Sequence, residues 1–439
     1  MELVVEVIYF SLILLVGILL RAIPHIRFHF PGTPDTFFFL NKIKNPDYKS
    51  DVVVYPKLFD QLLRFLVRNG ETTDGYTPNR LSILLDPLTA SIAYLFVKSH
   101  YDVEIALLTA LIFLITPYVV RQGSTLSARS FGLFLASTSL LIISLPFPWN
   151  WIALVPIGIT LLSHRLSTQA LFFILIGLSI LDLQNGFILL AGFVFAVLVS
   201  RGEYLTILRA HASAIARYYR LRGYPNERLS GSVLTPSFLG YLVYLILFIF
   251  QSYTSIIISF GGYTVPALYS IDIQFELIMI IWASVCFILL IFWLAGESYK
   301  HLSLASVPFA FLTSLLAYTD FIFLIFTIIL IGCSFCESLY FQLRFQHIDN
   351  NLGHLLELAS SIEIEGSMFA PKDIHRATGF FTNRLVLPTY LHVWDQARFD
   401  RDLISENVRF AIVMKHETHW FSSWEEVESS GNWVLFRRP

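Results

Sequence analysis

Four short polar phrases interrupt this otherwise apolar chain, and each carries side chains able to do chemistry. Asp35, in Pro34-Asp35-Thr36-Phe37-Phe38-Phe39-Leu40, follows a hydrophobic run. A carboxylate with the ordinary pKa of about 4 is ionised at neutral pH and can take a proton as a general base. Arg129 lies in Ser127-Ala128-Arg129-Ser130-Phe131-Gly132, with Arg121 a little earlier. The planar fork of an arginine matches the paired oxygens of a phosphate. His164 and Arg165, in Ser163-His164-Arg165-Leu166-Ser167-Thr168, add two more candidate cations. Tyr55 and Asp60, in Tyr55-Pro56-Lys57-Leu58-Phe59-Asp60, and Asp86, in Asp86-Pro87, are candidates for touching a substrate. A base together with cations aimed at a phosphate suits a transfer whose leaving group is a phosphate.

Each of these residues has a plainer explanation. Asp35 after a proline is a common turn or helix-cap residue. Asp60 sits in an apolar stretch of helical spacing and reads as part of its solvated face. Asp86 falls inside an apolar run, where a carboxylate needs a partner or a watery cavity. Arg129 could snorkel to lipid head groups, and His164-Arg165 fits a short interfacial turn. Cys333 and Cys336 have redox spacing but lie in a greasy run without strand context. His416-Glu417-Thr418-His419 lacks the spacing of a zinc helix.

Composition says what must position these phrases. Of 439 residues, 55% are hydrophobic and 14% charged, with a mean hydropathy of +0.65. Soluble domains carry about a quarter charged residues, so lipid is the main solvent here. The net charge of −2 argues against a nucleic-acid partner. Three cysteines, Cys286, Cys333 and Cys336, all in apolar stretches, give no disulfide framework. The opening MELVVEV has no basic flank or cleavage site, so the first apolar run is expected to be a retained span. Hydropathy predicts about eleven transmembrane helices. They fall near 3–20, 81–97, 103–120, 130–145, 150–163, 167–182, 186–200, 235–257, 274–296, 302–318 and 320–336. Hydropathy drops after 345. The expected organisation is a membrane domain over 1–345, with a long first loop at 21–80, and a small soluble α/β domain over 346–439 on the same face. In that domain, helices are expected near 350–361 and 399–406, and strands at Arg384–Leu387, Val408–Met414 and Trp433–Arg437. No Gly-rich phosphate loop is present, so binding, lid and structural roles stay open for it. One face collects the long loops and nearly all the basic residues, including Arg201, Arg209 and Arg217. The positive-inside rule alone would make that face cytoplasmic, but it is weakest for long loops, and phosphate binding also gathers cations.

The order of the phrases resembles a known superfamily, the GT-C polytopic glycosyltransferases. Its members tend to have a first span ending in arginine, as at Arg21, then an aspartate before aromatics, as in Asp35-Thr36-Phe37-Phe38. A YPPLFH-like phrase is resembled by Tyr55-Pro56-Lys57-Leu58-Phe59-Asp60, a TPR-x-x-G phrase by the stretch around Arg129, and a THxxT-like turn by Ser163 to Thr168. The resemblance covers about residues 1–200. It implies a multi-pass plasma-membrane enzyme that moves a sugar from a polyprenyl-phosphate donor to a glycan, lipid or protein acceptor. The active face would then be extracytoplasmic. Asp35 would be the base, and Arg129, Arg121, His164 and Arg165 would hold the donor phosphate. Oligosaccharyltransferase members add an acidic metal motif in the second outer loop, but 118–130 contains no Asp or Glu. A divalent metal is therefore not supported, and no cofactor is expected. The chain leans instead toward the metal-independent branch, similar to protein mannosyltransferases and lipid-A aminoarabinose transferases. In that branch the first loop often pairs Asp with Glu, and here Thr36 takes the second place.

Three other classes compete. A lipid or glycan flippase would suit a polytopic chain, with Gly261-Gly262 and Pro266 able to break a helix, but no matching interruption recurs in the other half. A cytoplasm-facing lipid-phosphate enzyme would need DxxxD-type diphosphate motifs, which the sequence does not place suitably. A non-catalytic scaffold is the third.

Overall fold

The computed structural model describes residues 2–28, 32, 34–44, 58–66, 79, 82–209, 212, 273–292, 303–319, 321–344, 348–362, 366–371, 374–382, 386–387, 403–404 and 407–439. The expected span at 235–257 lies outside them, as do Tyr55 and the Asp35 side chain. In chain order the helices are α1 Glu2–Arg27, α2 Pro34–Lys44, α3 Leu58–Leu66, α4 Leu85–His100, α5 Val103–Ile115, α6 Pro117–Gly123, α7 Ala128–Ile143 and α8 Leu154–Leu161. They continue as α9 Arg165–Leu181, α10 Leu183–Val199, α11 Glu203–Arg209, α12 Ile273–Phe292, α13 Ser306–Thr319, α14 Phe321–Arg344, α15 Asn350–Ser361 and α16 His375–Thr382. Strands β1 Ser367–Phe369, β2 Val386–Leu387, β3 Val408–Met414, β4 Glu425–Ser430 and β5 Trp433–Arg437 form one sheet.

The described residues divide into two compact units. The first takes those within Met1–Ala22, Val53–Leu62 and Ser82–Leu343. The second takes those within Ile23–Val52, Leu63–Leu81 and Arg344–Pro439, so it draws on first-loop residues as well as the C-terminal region.

The first unit is a helical membrane bundle. Among the described residues two helices, Val5–Arg27 and Phe321–Arg344, are long and apolar enough to cross a bilayer, or up to four if each of two bent pairs is one span. Five shorter apolar helices accompany them. Their outward surfaces are apolar: Leu12, Leu15 and Leu19 on α1, and Ile325, Phe326, Ile328 and Ile329 on α14, are all exposed. α14 is inside-out relative to a soluble helix. Thr327, Ser334, Ser338 and Gln342 are buried at helical spacing while its isoleucines and phenylalanines face outward. That arrangement follows when the solvent is hydrocarbon and polar side chains must find protein partners.

The expected single span over 103–120 is broken. Thr116-Pro117 separates α5 from α6, and the two helices meet at 63°. Pro117 lacks an N–H and suits a first helical turn, so it ends one helix and starts the next. The break frees carbonyls that lipid cannot satisfy. Side chains take them: Arg21 Nη1 donates to the Leu114 carbonyl at 3.2 Å, and Ser338 Oγ to the Ile115 carbonyl at 2.8 Å. Gln342 Nε2 donates to Ser124 Oγ at 2.7 Å and to the Val120 carbonyl at 3.2 Å. A second bend, of 114°, separates α10 from α11.

Arg21 also supplies Asp86 with its partner. Arg21 Nε donates to Asp86 Oδ2 at 2.8 Å, with both side chains fully buried. Gly123 makes room for the pair. A Cβ there would collide with the Asp86 carboxylate and come within 2.9 Å of Arg21 Nε.

The second unit contains the sheet, in the order β2-β1-β3-β5-β4. β2, β1 and β3 run parallel, and β3, β5 and β4 antiparallel. Parallel neighbours need a crossover, and α16 supplies it between β1 and β2. Phe369, Val408, Ala411, Val413, Phe421, Val434 and Phe436 form the core. Edge strand β4 carries exposed Glu425 and Glu426, charges that discourage edge-to-edge pairing. Helix α15 and strands β2, β3 and β5 fall where the sequence predicts them, whereas β1, β4 and α16 were not predicted. Of the helix expected near 399–406, only Leu403 and Ile404 are described.

Removing one member of the Arg21–Asp86 pair leaves a buried charge alone, which typically costs about 3–5 kcal/mol. Asp86→Ala should therefore strongly lower the thermal unfolding temperature in detergent. Arg21→Met combined with Asp86→Leu should recover part of the loss, and only part, because Arg21 also caps the Gly17 and Leu114 carbonyls.

Candidate functional site

Three of the polar phrases meet in the helical unit. The first residues of α3 reach the turn between α8 and α9, where the Leu58 N–H donates to the Leu162 carbonyl at 3.3 Å. Phe59 packs on Phe131 of α7, ring centroids 5.3 Å apart. α7 in turn lies against the first turn of α9. A Cβ on Gly132 would clash with Ser167 Oγ and stand 2.8 Å from His164 Cβ. Gly132 is thus required by close approach rather than by backbone conformation, a role invisible in one sequence.

This junction holds two helix N-termini. Ser127 caps α7 by accepting the Arg129 N–H at 3.1 Å. His164 caps α9: its Nδ1 accepts the Ser167 N–H at 3.3 Å and lies 2.9 Å from Ser167 Oγ. A backbone N–H can only donate, so Nδ1 carries no proton and the neutral ring bears its hydrogen on Nε2. His164 is buried, and Arg129 and Arg165 are half-buried.

Arg129 and Arg165 occupy the first turns of their helices. A cation at the positive end of a helix dipole is unfavourable by about 0.3–1 kcal/mol. The chain breaks that local rule twice at one place. Two helix N-termini, with an arginine in the first turn of each, raise the positive potential here, and the neutral His164 adds an Nε2–H donor, a combination suited to an anion. The arrangement can hold a phosphate and offset charge developing on it as a leaving group.

The remaining predicted residues are distributed elsewhere. Asp60 corrects an expectation. Instead of lying on a solvated face it is buried, with 2% exposed, because α3 turns Phe59, Asp60 and Leu63 inward and leaves Gln61 and Phe65 outside. Asp86 pairs with Arg21 beside Gly123. Arg121 ends α6 and sits over the Phe341 ring, 5.8 Å from its centroid. Asp35 is the second residue of α2, in the second unit. Tyr55 is outside the described residues. Cys333 and Cys336 are free and exposed on α14, within an apolar helix. His416 and His419 stand on a 3-10 turn, Lys415–Phe421, where Glu417 accepts the Met414 N–H at 3.3 Å. Among the described residues, no group of three or more His, Cys, Asp or Glu could hold a metal ion.

The sequence reading missed Gly132, Gly123, Ser338 and Gln342. The glycines gave no local signal. The polar pair did: Ser338 and Gln342 stand four apart, in line with Ser334 and Thr327, inside a run too greasy to expose them.

No protein-family model matches this sequence, and no curated protein does. Solved structures do. The chain is similar to ArnT from Cupriavidus metallidurans bound to undecaprenyl phosphate, at a TM-score of 0.64 and 10% identity over 98% of this chain and 98% of that one. The same protein in its apo state gives a TM-score of 0.61 at 10% identity, over 100% and 99% of the two chains. The Archaeoglobus fulgidus oligosaccharyltransferase AglB, in complex with an inhibitory peptide and a dolichol-phosphate, gives 0.59 at 10% identity over 92% of this chain and 69% of that one. At such identities the likeness is one of fold.

Gly132→Ala should separate α7 from the His164 turn and cost about 1–3 kcal/mol, as overpacking does. Gly332→Ala is the control: a Cβ there meets nothing within 4 Å, so its stability should match or slightly exceed the original. Thermal unfolding of both variants in detergent would check the contrast.

Proposed function

We propose that this chain, which has the GT-C fold, is a membrane glycosyltransferase that moves a sugar from a polyprenyl-phosphate donor to an acceptor hydroxyl or amide. The observation that carries the reading is the paired helix N-termini with Arg129, Arg165 and His164, since that chemistry fits a lipid phosphate. The lipid phosphates named with the ArnT and AglB structures support it.

In this mechanism Asp35 takes the acceptor's proton as its oxygen or nitrogen attacks the anomeric carbon. The bond from that carbon to the phosphate oxygen breaks, and the pair of electrons leaves with the polyprenyl phosphate. Arg129 and His164 Nε2–H then donate to phosphate oxygens that become more negative, with Arg165 and Arg121 adding positive potential. The soluble unit and the basic loops are assigned to the extracytoplasmic face.

Binding and chemistry can be separated. Removing a charge-assisted, two-toothed contact costs about 1.5–3 kcal/mol, so Arg129→Ala should weaken binding of undecaprenyl phosphate to the purified protein roughly tenfold to hundredfold. Arg129→Lys should recover only part of it. Asp35→Asn should leave that binding intact while lowering turnover of a lipid-linked sugar by about 10²–10⁴. Unchanged binding by Arg129→Ala, or normal turnover by Asp35→Asn, would defeat the assignment of that residue.

Orientation has its own test. A single cysteine at Ser50 should react with a membrane-impermeant maleimide in intact cells. Reaction only after the cells are opened would place the first loop in the cytoplasm and remove the extracytoplasmic reaction.

A further inference from the structure

Helix α2, which begins Pro34-Asp35, is locked onto the sheet-bearing unit along one whole stripe. Phe37 is fully buried and contacts both Phe380 and Phe381, ring centroids 5.8 Å away in each case. One turn on, Asn41 Nδ2 donates to the Arg376 carbonyl at 2.8 Å. At the end of the helix, Lys44 Nζ donates to the Phe380 carbonyl at 3.2 Å and sits 4.0 Å from the centroid of its ring. From the other side the Arg376 guanidinium lies 5.1 Å from the Phe38 ring centroid.

Residues 37, 41 and 44 share one helix face, so these contacts fix both the rotation of α2 and its position along its axis. Their anchor, α16, is itself immobilised as the crossover between the paired parallel strands β1 and β2, and α15 packs against it. The Asp35 backbone is two residues from Phe37 on the same continuous helix. Any tilt of α2 on α16 therefore moves Asp35.

We propose that the sheet-bearing unit is a positioning platform for Asp35, with Asn41 and Lys44 as positioning residues that act through α2. This inference rests on the reading of Asp35 as the general base. Misplacing a reacting group by about 1 Å can cost 10²-fold in rate, so loss of a docking contact should appear in turnover before it appears in binding.

The test uses full-length protein in detergent or proteoliposomes. Asn41→Ala removes one docking hydrogen bond, and Lys44→Met removes another while keeping an apolar stem against Phe380. Each should lower kcat about tenfold or more, leave the donor KM and the Kd for undecaprenyl phosphate within about twofold, and keep the unfolding temperature near that of the parent. In an Asp35→Glu background, where the carboxylate is already displaced, Asn41→Ala should cost much less than it does in the parent. Wild-type kcat in both docking variants would overturn the proposal, as would losses that multiply fully with Asp35→Glu. Should one variant fail to fold, the other decides. Normal turnover by Asp35→Asn would instead sink the base assignment itself. An inactive Asp35→Asn beside fully active docking variants would sink the platform alone.

Discussion

The helical unit depends on satisfying polar groups in a place where water is absent. Thr116-Pro117 breaks a helix within an apolar run, and each carbonyl released there would cost several kcal/mol if left bare. Arg21 answers that need while also neutralising Asp86. Ser338 answers it from α14 through the Ile115 carbonyl. Four elements distant in sequence, α1, α4, the α5–α6 break and α14, are thereby tied to one buried point. The ion pair is better understood as specifying that arrangement than as adding stability, because desolvating two charges offsets most of their attraction.

Around this frame the chain accepts local conflicts where chemistry is proposed. Arginines in the first turns of α7 and α9 oppose their helix dipoles, and Gly132 removes side-chain volume so that the two helices can approach. Such violations, concentrated in one place in a chain otherwise locally consistent, are expected where function outweighs stability. His164 shows how a fold assigns chemistry to an ambiguous ring. By capping α9 through Nδ1 it fixes the tautomer, and that leaves the donor on Nε2.

The second unit solves a different problem. Its strands bury a conventional apolar core, and its edge is guarded by glutamates. Its α16 offers Phe380 and Phe381, with backbone carbonyls beside them, as the seat for α2. Desolvation of the Lys44 ammonium against that seat lowers its pKa from the usual lysine value, although the side chain remains exposed. The likeness to ArnT runs over nearly the whole length of both chains and is one of fold.

Sequence alone determined the solvent, and with it the class. Runs of apolar residues at bilayer length, with charges confined to short phrases, leave little choice but membrane helices, because hydropathy is additive along the chain. Most described helices accordingly begin and end near their expected positions, and the β3 and β5 strands, with their dense β-branched and aromatic residues, were equally legible. Residue types able to bind phosphate were visible too, as were the phrases around Arg129 and His164. Tertiary structure alone decided which of them meet. The partner of Asp86 lies 65 residues away at Arg21, the space for His164 is made by Gly132, and Asp60 turns inward although its helix reads as surface-lying. These outcomes depend on which helix faces touch, and a face has no preferred neighbour until the whole bundle has packed. The three-residue strand β1 was illegible for the same reason: an element so short takes its conformation from the sheet that receives it, whereas β2 lies within the strand expected at Arg384–Leu387.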